Sequence, residues 1–212
     1  MHRSEDRIPK LRTRGRANRR KLLREAERLL LAEHHGEPLR FSDVFESAGV
    51  SRGSAYRIYI GIDDLMQDLA TEWITNAVTF LNEVRPDQPP QTWQELSDFI
   101  IEKGRDYWAE TAETLRVMPR LRSNAPETHK TALREFSRCL AAVFDRFFAI
   151  PEIENWTGKL SFYLQLCDVV FSDSVRINDR VTDERVAEAQ AICKTYLAFH
   201  LPDRVPTRQS GR

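Results

Sequence analysis

Apolar side chains recur every three or four residues along most of the chain, which is the spacing of amphipathic α-helices. The first such run follows Asn18, a candidate N-cap, and stops before Gly36, so it predicts a helix to about His35. A helix with an apolar stripe of this length needs partner elements that cover the stripe. The stripe consists of Leu22, Leu23, Ala26, Leu29 and Leu30.

Two short segments supply those partners. Ser42 is a candidate cap for a helix that ends near Ala48, and Ser51 is a candidate cap for another that runs to about Tyr59. Gly49 stands in the tight turn between them, where a positive φ is expected. This arrangement predicts a helix-turn-helix, whose second helix enters the DNA major groove.

Behind this head the pattern remains helical. A long helix is expected over residues 63–84, and a capping box of Thr92 and Glu95 opens the next one. Pro119 interrupts an apolar stretch, and Pro126 suits the first turn of a helix to about Ile150. Two further helices are expected, over about 155–176 and 182–201.

These elements predict an all-α fold with about nine helices. A three-helix helix-turn-helix DNA-binding head is expected over residues 18–62, and a helical effector-binding and dimerisation domain over residues 63–201. Residues 1–17 are expected to be a flexible basic arm, and residues 202–212 a disordered tail.

Charge divides the chain in the same way. The 212 residues have a formal net charge of zero, but residues 1–60 carry fourteen basic and eight acidic side chains, a net charge of +6. The remainder therefore carries −6, so a basic head accompanies an acidic body. Such a head attracts DNA phosphates. Ordinary solvated charge is the alternative.

The composition argues against a membrane-spanning or secreted protein. No apolar run approaches the roughly 20 residues of a membrane span, and the arginine-rich start lacks the apolar core of a signal sequence. We therefore expect a cytoplasmic protein without a membrane partner. Three separated cysteines, Cys139, Cys167 and Cys193, are expected to be reduced, buried thiols rather than a disulfide frame or metal site.

Residues 23–66 resemble the DNA-binding head of the TetR family of transcriptional regulators. The matching features are an amphipathic helix ending in Glu33 to Gly36, the segment Phe41 to Val44, the segment Ala48 to Tyr56, the pair Ile58 and Tyr59, and Asp64 to Met66. Three positions depart from the family pattern. Tyr59 stands where phenylalanine is commoner, Phe45 where alanine is usual, and Ile62 where the family has a phosphate-contacting lysine.

The helix-turn-helix predicts the DNA-binding residues. Arg52 and Arg57 are expected to pair with guanine edges or with phosphates, and the helix N-termini at Ser42 and Ser51 to bind phosphate. The resemblance implies a phosphate contact for Tyr56. The small Gly53 and Ala55 either allow a close approach to the bases or simply pack the helix. The full predicted set is Ser42, Ser51, Arg52, Gly53, Ser54, Ala55, Tyr56, Arg57 and Tyr59, with Arg12, Arg14 and Arg16 of the arm entering a neighbouring minor groove.

Two heads are needed for tight specific binding, so a homodimer is expected to read a palindromic double-stranded DNA operator. The helix over 155–176 is apolar on too many faces for one core, and pairing it and the last helix with their copies makes a four-helix bundle. The resemblance implies the same interface. The predicted interface residues are Tyr163, Leu166, Cys167, Val170, Ala189, Cys193 and Tyr196.

The resemblance also implies a small-molecule effector in a pocket of the middle helices, whose binding moves the connecting helix and changes the spacing of the two heads. The aromatic residues of these helices either line that pocket, for a hydrophobic ligand, or form ordinary core. The candidates are Trp93, Phe99, Tyr107, Trp108, Met118, Phe136 and Phe144.

The sequence therefore predicts a repressor released by a small, hydrophobic effector, with activation left open. An all-helical enzyme is one alternative, but no nucleophile motif, glycine-rich phosphate loop or carboxylate pair stands out. His34 and His35 adjoin Glu33 on different helix faces, so no metal or cofactor is predicted. A head that binds protein, or DNA without sequence preference, is the other alternative.

Overall fold

The computed structural model describes residues 13–32, 39–83, 85–109, 115 and 127–208. Their regular elements are helices, and one isolated antiparallel bridge joins Phe148 and Thr207. The expected all-α class is confirmed, with eight helices in the described residues against about nine expected. The helices are α1 (Thr13–Ala32), α2 (Phe41–Ser47), α3 (Arg52–Ala55), α4 (Ile62–Glu83), α5 (Trp93–Ala109), α6 (Glu127–Phe147), α7 (Trp156–Asn178) and α8 (Asp183–Ala198).

Two compact units divide the chain within α4. The first runs to Trp73 and takes in residues 127–130 of α6, and the second holds the rest from Ile74 onward. The division lies about three helical turns beyond the boundary expected at residues 62 and 63. In the described part of the chain, no helix combines the length and the apolar character that a membrane crossing needs.

The first unit has a core made by α1, α2, α3 and the start of α4. Leu22, Leu23 and Ala26 of α1 are buried, as the apolar stripe predicts. The turn after α2 contains Gly49 at φ +62°, and Val50 N donates to Phe45 O at 2.9 Å. The expectation of a positive φ at Gly49 is confirmed, and glycine adopts this backbone readily because it has no Cβ.

Three local boundaries in the first unit differ from expectation. Helix α1 already begins at Thr13, so residues 13–17 are helical, while the rest of the predicted arm, residues 1–12, lies outside the described residues. Arg40, not Ser42, is the N-cap of α2, and it makes no side-chain cap hydrogen bond. Helix α3 ends at Ala55 rather than near Tyr59, and Tyr59 N donates to Ala55 O as the chain turns.

The second unit packs α5, α6, α7 and α8 around one apolar core. Its buried side chains include Leu96, Leu140, Phe144, Leu160 and Phe171. The predicted Thr92 cap is present, since the backbone nitrogen of residue 95 donates to Thr92 Oγ1 at 3.1 Å. A second cap opens α8, where Thr182 accepts from the backbone nitrogen of residue 185. These bonds satisfy amide donors that have no partner within their own helix.

The segment after α8 corrects the prediction of a disordered tail. The backbone nitrogen of Ala149 donates to Pro206 O at 2.8 Å, and that of Arg208 donates to Phe147 O at 2.7 Å. Val205 is buried, and the indole nitrogen of Trp93 donates to Pro202 O at 2.9 Å. Residues 202–208 are therefore bound to the second unit, and residues 209–212 lie outside the described residues.

All three cysteines are free thiols. Cys139 and Cys193 are buried and Cys167 is half-buried. Burial raises the pKa of the Cys193 thiol to about 12, so this thiol is protonated at neutral pH and chemically inert.

Candidate nucleic-acid interface

The surface formed by α3 and its flanking residues carries most of the predicted DNA contacts. Ser51, Arg52 and Gly53 are exposed at the start of α3, and Tyr56 and Arg57 are exposed just after its end. Ser51 is the N-cap, but its hydroxyl donates to Ser54 Oγ at 2.9 Å and accepts no cap hydrogen bond from a backbone amide. The backbone donors at the start of α3 are therefore not consumed by the cap side chain.

Tyr56 is held in place by an aromatic cluster beneath it. Its ring lies edge-on to Phe41, with centroids 5.1 Å apart, and 6.2 Å from the ring of Phe45. The guanidinium of Arg52 lies 5.7 Å from the centroid of the same ring. With 49% of its surface exposed, Tyr56 is fixed on one side and open to a ligand on the other.

The cluster explains one departure from the family pattern. Phe45 is buried and lies edge-on to Phe41 at 5.6 Å, so it fills space below Tyr56 that an alanine side chain would leave empty. Aromatic pairs in this geometry are stabilising beyond the area they bury. Phe45 is therefore a support of the exposed tyrosine rather than a contact residue.

Two of the predicted contact residues are buried within the first unit. The side chains of Ala55 and Tyr59 have exposed fractions of 0% and 4%, so neither presents its side chain to a ligand. The Tyr59 hydroxyl donates to Asp68 Oδ2 at 2.5 Å. Burial and this hydrogen bond raise the pKa of the Tyr59 hydroxyl well above its usual value. We therefore reassign Tyr59 from contacting DNA to positioning the turn after α3.

Asp68 is the centre of a network that the sequence reasoning missed. Arg19 Nε donates to Asp68 Oδ2 at 2.7 Å and Arg19 Nη2 to Asp68 Oδ1 at 2.6 Å, a two-bonded pair between α1 and α4. The hydrogen bond to Asp68 raises the pKa of Arg19. One turn and a half further along α4, the indole of Trp73 donates to Glu27 Oε1 at 2.7 Å. The sequence did contain one sign of this network. Tyr59 has a hydroxyl that the phenylalanine common at this position in the family lacks, and a buried hydroxyl needs a hydrogen-bond partner.

The start of α4 differs from the family pattern in charge as well. Ile62 is the first residue of α4, and the first turn carries Asp63 and Asp64. Asp64 Oδ2 accepts from the backbone nitrogen of Ile60 at 3.1 Å, which ties the loop to the helix. The first turn of α4 therefore carries acidic side chains, and no basic one, where the family pattern has lysine.

The arginines assigned to the arm are divided by the start of α1. Arg14 and Arg16 are exposed in the first turn of that helix, while Arg12 lies outside the described residues. Among the remaining predicted contacts, Ser42 and Ser54 are half-buried, and the Ser42 hydroxyl donates to Asp43 Oδ1 at 3.2 Å.

The candidate pocket residues fall into two groups in the second unit. Trp93 and Phe144 are completely buried, and Phe144 lies edge-on to Trp156 at 5.9 Å, so both are core. Phe99, Phe136, Tyr107 and Trp108 are half-buried, and Met118 lies outside the described residues. The Tyr107 ring lies 4.9 Å from that of Trp108 and 4.8 Å from that of Phe80, a residue not among the candidates.

The candidate interface residues also divide by burial. Tyr163, Ala189 and Cys193 are buried by the second unit's own helices, which removes them from any surface that a partner touches. Leu166, Cys167, Val170 and Tyr196 are half-buried. The most exposed large apolar side chains of α7 and α8, and of the residue just after α8, were not among the candidates. They are Phe162, Val169, Ile177, Ile192 and Phe199.

Over the residues that the structure describes, no group of three or more histidine, cysteine, aspartate or glutamate side chains is arranged to hold a metal ion.

Solved structures of TetR-family transcriptional regulators have the same fold as this chain. One from Streptomyces coelicolor has a TM-score of 0.66 and 15% sequence identity, over 87% of this chain and 99% of that one. One from Rhodococcus sp. RHA1 has a TM-score of 0.66 and 16% identity, over 87% and 97% of the chains. The fatty acid degradation regulator FadR from Bacillus halodurans has a TM-score of 0.56 and 16% identity, over 85% and 94%.

The chain has the TetR-family fold. Eight solved structures with 10–16% sequence identity share its architecture with little of its sequence. No protein-family profile matches the sequence, and no curated protein matches it either. The resemblance read from residues 23–66 is thus confirmed at the level of the fold.

Proposed function

We propose that this protein is a sequence-specific DNA-binding transcriptional regulator that acts as a homodimeric repressor. The observation that carries the proposal is the exposed surface of Arg52, Tyr56 and Arg57, supported from below by buried Phe41 and Phe45. Arginine side chains at this edge suit guanine O6 and N7, and a fixed tyrosine hydroxyl suits a phosphate oxygen. The fold is one that solved TetR-family transcriptional regulators share.

The second part of the proposal is a dimer formed by α7 and α8. Phe162, Leu166 and Val169 repeat at the spacing of one helix face on α7, and Ile192, Tyr196 and Phe199 do so along α8 and just beyond it. Phe162 and Tyr196 already touch, with ring centroids 5.1 Å apart. A continuous apolar face of this kind is costly in water, and packing it against its own copy forms a four-helix bundle.

The third part is control by a small hydrophobic effector. The half-buried rings of Phe80, Tyr107 and Trp108 form a contiguous aromatic surface on α4 and α5. Such surfaces bind apolar or aromatic ligands because they supply large contact areas with little loss of side-chain entropy. We propose that an effector binds to this surface and lowers the affinity of the protein for DNA. To do so, the effector has to bind the conformation with low DNA affinity more tightly than the other conformation.

The test is the replacement of both Tyr56 and Arg57 with alanine. The wild-type protein selects its duplex from random DNA, and the double variant is expected to lose at least a hundredfold in affinity for it, since each contact is worth about 1–3 kcal/mol. Arg204→Ala is the matched control, because Arg204 is an exposed arginine of the second unit. Unchanged binding by the double variant would overturn the assignment of the surface, and its dissociation to monomers would show that the change acted elsewhere.

A further inference from the structure

Helix α1 has a basic outer face to which the function proposed above assigns no role. Arg20, Lys21 and Arg24 are exposed within little more than one turn. Each residue of an α-helix is rotated by about 100° from the one before it. Positions 20, 21 and 24 therefore cluster on one side of α1, opposite the side that carries the buried Leu22, Leu23 and Ala26. In the described part of the chain, none of the three is paired with an acidic side chain.

The two acidic residues of α1 do not neutralise this face. Glu25 accepts from Arg28 Nε at 2.9 Å and from the Ser47 hydroxyl at 2.5 Å, so it is bound to its neighbours on α1 and α2. Glu27 accepts from the indole of Trp73 at 2.7 Å. Both carboxylates are committed to the first unit's own structure, and the three cations are left with their charge exposed.

Several exposed or half-buried bases on other helices are paired with an acid three residues away. On α5, α6, α7 and α8 the pairs are Lys103 and Asp106, Arg138 and Glu135, Arg176 and Asp173, and Arg185 and Glu188. The outer face of α1 has no such pair, although like charges at these spacings destabilise a helix. A helix face that carries several unpaired cations close together is suited to binding a polyanion, whose charge offsets the repulsion between them.

We propose that Arg20, Lys21 and Arg24 bind the phosphate backbone of duplex DNA beside the bases that the α3 surface reads. The three residues span about 6 Å of helix axis, close to the rise of two phosphates along one strand. DNA is the occupant we commit to because this face and the α3 surface belong to the same compact unit. The inference rests on the proposed function and extends its footprint outward into the flanks of the site.

The test compares the salt dependence of binding on two duplexes. Both carry the sequence that the wild-type protein selects, one with minimal flanks and one with about six extra base pairs at each end. The variant replaces Arg20, Lys21 and Arg24 with glutamine, and Arg28→Gln is the control, since Arg28 lies on the same helix but is paired with Glu25. Circular dichroism melting confirms that the variants are folded.

On the long duplex, the dimer of the triple variant lacks six cations and is expected to have a salt slope lower by up to about 5.4, so its affinity falls up to about 1,800-fold less than that of wild type between 50 and 200 mM salt. On the short duplex, the triple variant and wild type are expected to coincide, and Arg28→Gln is expected to match wild type on both. A wild-type salt slope in the triple variant would overturn the inference, as would an equal loss of affinity on both duplexes.

The proposed function has a separate readout in the same experiment, namely the preference of the wild-type protein for its selected sequence over a scrambled duplex. Loss of that preference would overturn sequence-specific regulation but not the backbone contact, which the slope still measures. A triple variant that binds DNA normally but loses binding to vesicles rich in phosphatidylserine would overturn the DNA assignment in favour of a membrane surface.

Discussion

Tyr59 and Asp68 share a 2.5 Å hydrogen bond that joins the turn after α3 to α4. The same carboxylate receives two hydrogen bonds from Arg19, so one side chain holds α1, α4 and the turn that follows the α3 surface. A phenylalanine at position 59 would fill the same space without this bond. The network therefore makes the position of the α3 surface depend on a polar contact that the usual family pattern lacks.

Asp68→Asn is expected to lower the free energy of unfolding by about 1–3 kcal/mol, because it removes the charge that Arg19 requires and places an amide donor against another donor. Tyr59→Phe is the milder control, with an expected loss of about 1 kcal/mol, since the ring still packs. Urea denaturation measures both. Asp68→Asn with wild-type stability would show that the network contributes nothing.

The same hydroxyl predicts a stability change at alkaline pH. The pKa of Tyr59 is raised in the folded protein, so its contribution is complete below the unfolded pKa of about 10 and is lost as pH rises above that value. The stability difference between wild type and Tyr59→Phe is therefore expected to shrink above pH 10. Tyr163 is present in both proteins and cancels. A difference that stays constant between pH 8 and pH 11 would contradict the assignment.

Lysine at exposed positions of the proposed dimer face should separate the protomers. Val169→Lys combined with Phe199→Lys places charges in the apolar surface of α7 and α8, where desolvation opposes association. Sedimentation equilibrium is expected to give a monomer, with at least a tenfold loss of affinity for a palindromic duplex because the two heads are no longer linked. Ile60→Lys, at an exposed site in the first unit, is the control and should remain dimeric. A dimeric double variant would remove α7 and α8 from the interface.

Truncation after Leu201 is expected to destabilise the second unit. It removes the backbone bonds of Ala149 and Arg208, the burial of Val205, and the acceptor of the Trp93 indole. The lost contacts should cost about 4–5 kcal/mol, since each of the three hydrogen bonds is worth about 1 kcal/mol net and burying a valine about 1.5 kcal/mol or more. Truncation after Arg208 is the matched control. Equal melting temperatures for both would mean that the segment only rests on the surface.

Local rules predicted the features whose causes are local. Gly49 has the positive φ that a tight turn needs, and the Thr92 and Glu95 cap opens α5, because both depend on residues within four positions of each other. Ser42 failed as a cap because the backbone enters the helix two residues earlier, at Arg40. Periodicity places an apolar face but not the exact residue where a helix starts.

Long-range contacts explain the remaining errors. The polar segment after Leu201 has the composition of a tail, yet Trp93, 109 residues before Pro202 in the chain, provides one of its hydrogen bonds. Tyr59 was predicted to contact DNA, but its hydroxyl is turned inward and donates to Asp68. On α7 and α8 the sequence identified the apolar residues. It did not show which of them are buried in the second unit's own core, because that depends on the packing of four helices.

The central claim is best tested by selecting genomic DNA fragments that the purified full-length protein binds at physiological salt, and aligning the enriched sequences. The account predicts a short palindrome whose half-sites are centred about 10 base pairs apart, or a multiple of that distance, as a two-headed dimer requires. It also predicts that the Tyr56 and Arg57 double variant enriches nothing. A folded, dimeric wild-type protein that enriches no sequence over the genomic background would contradict it.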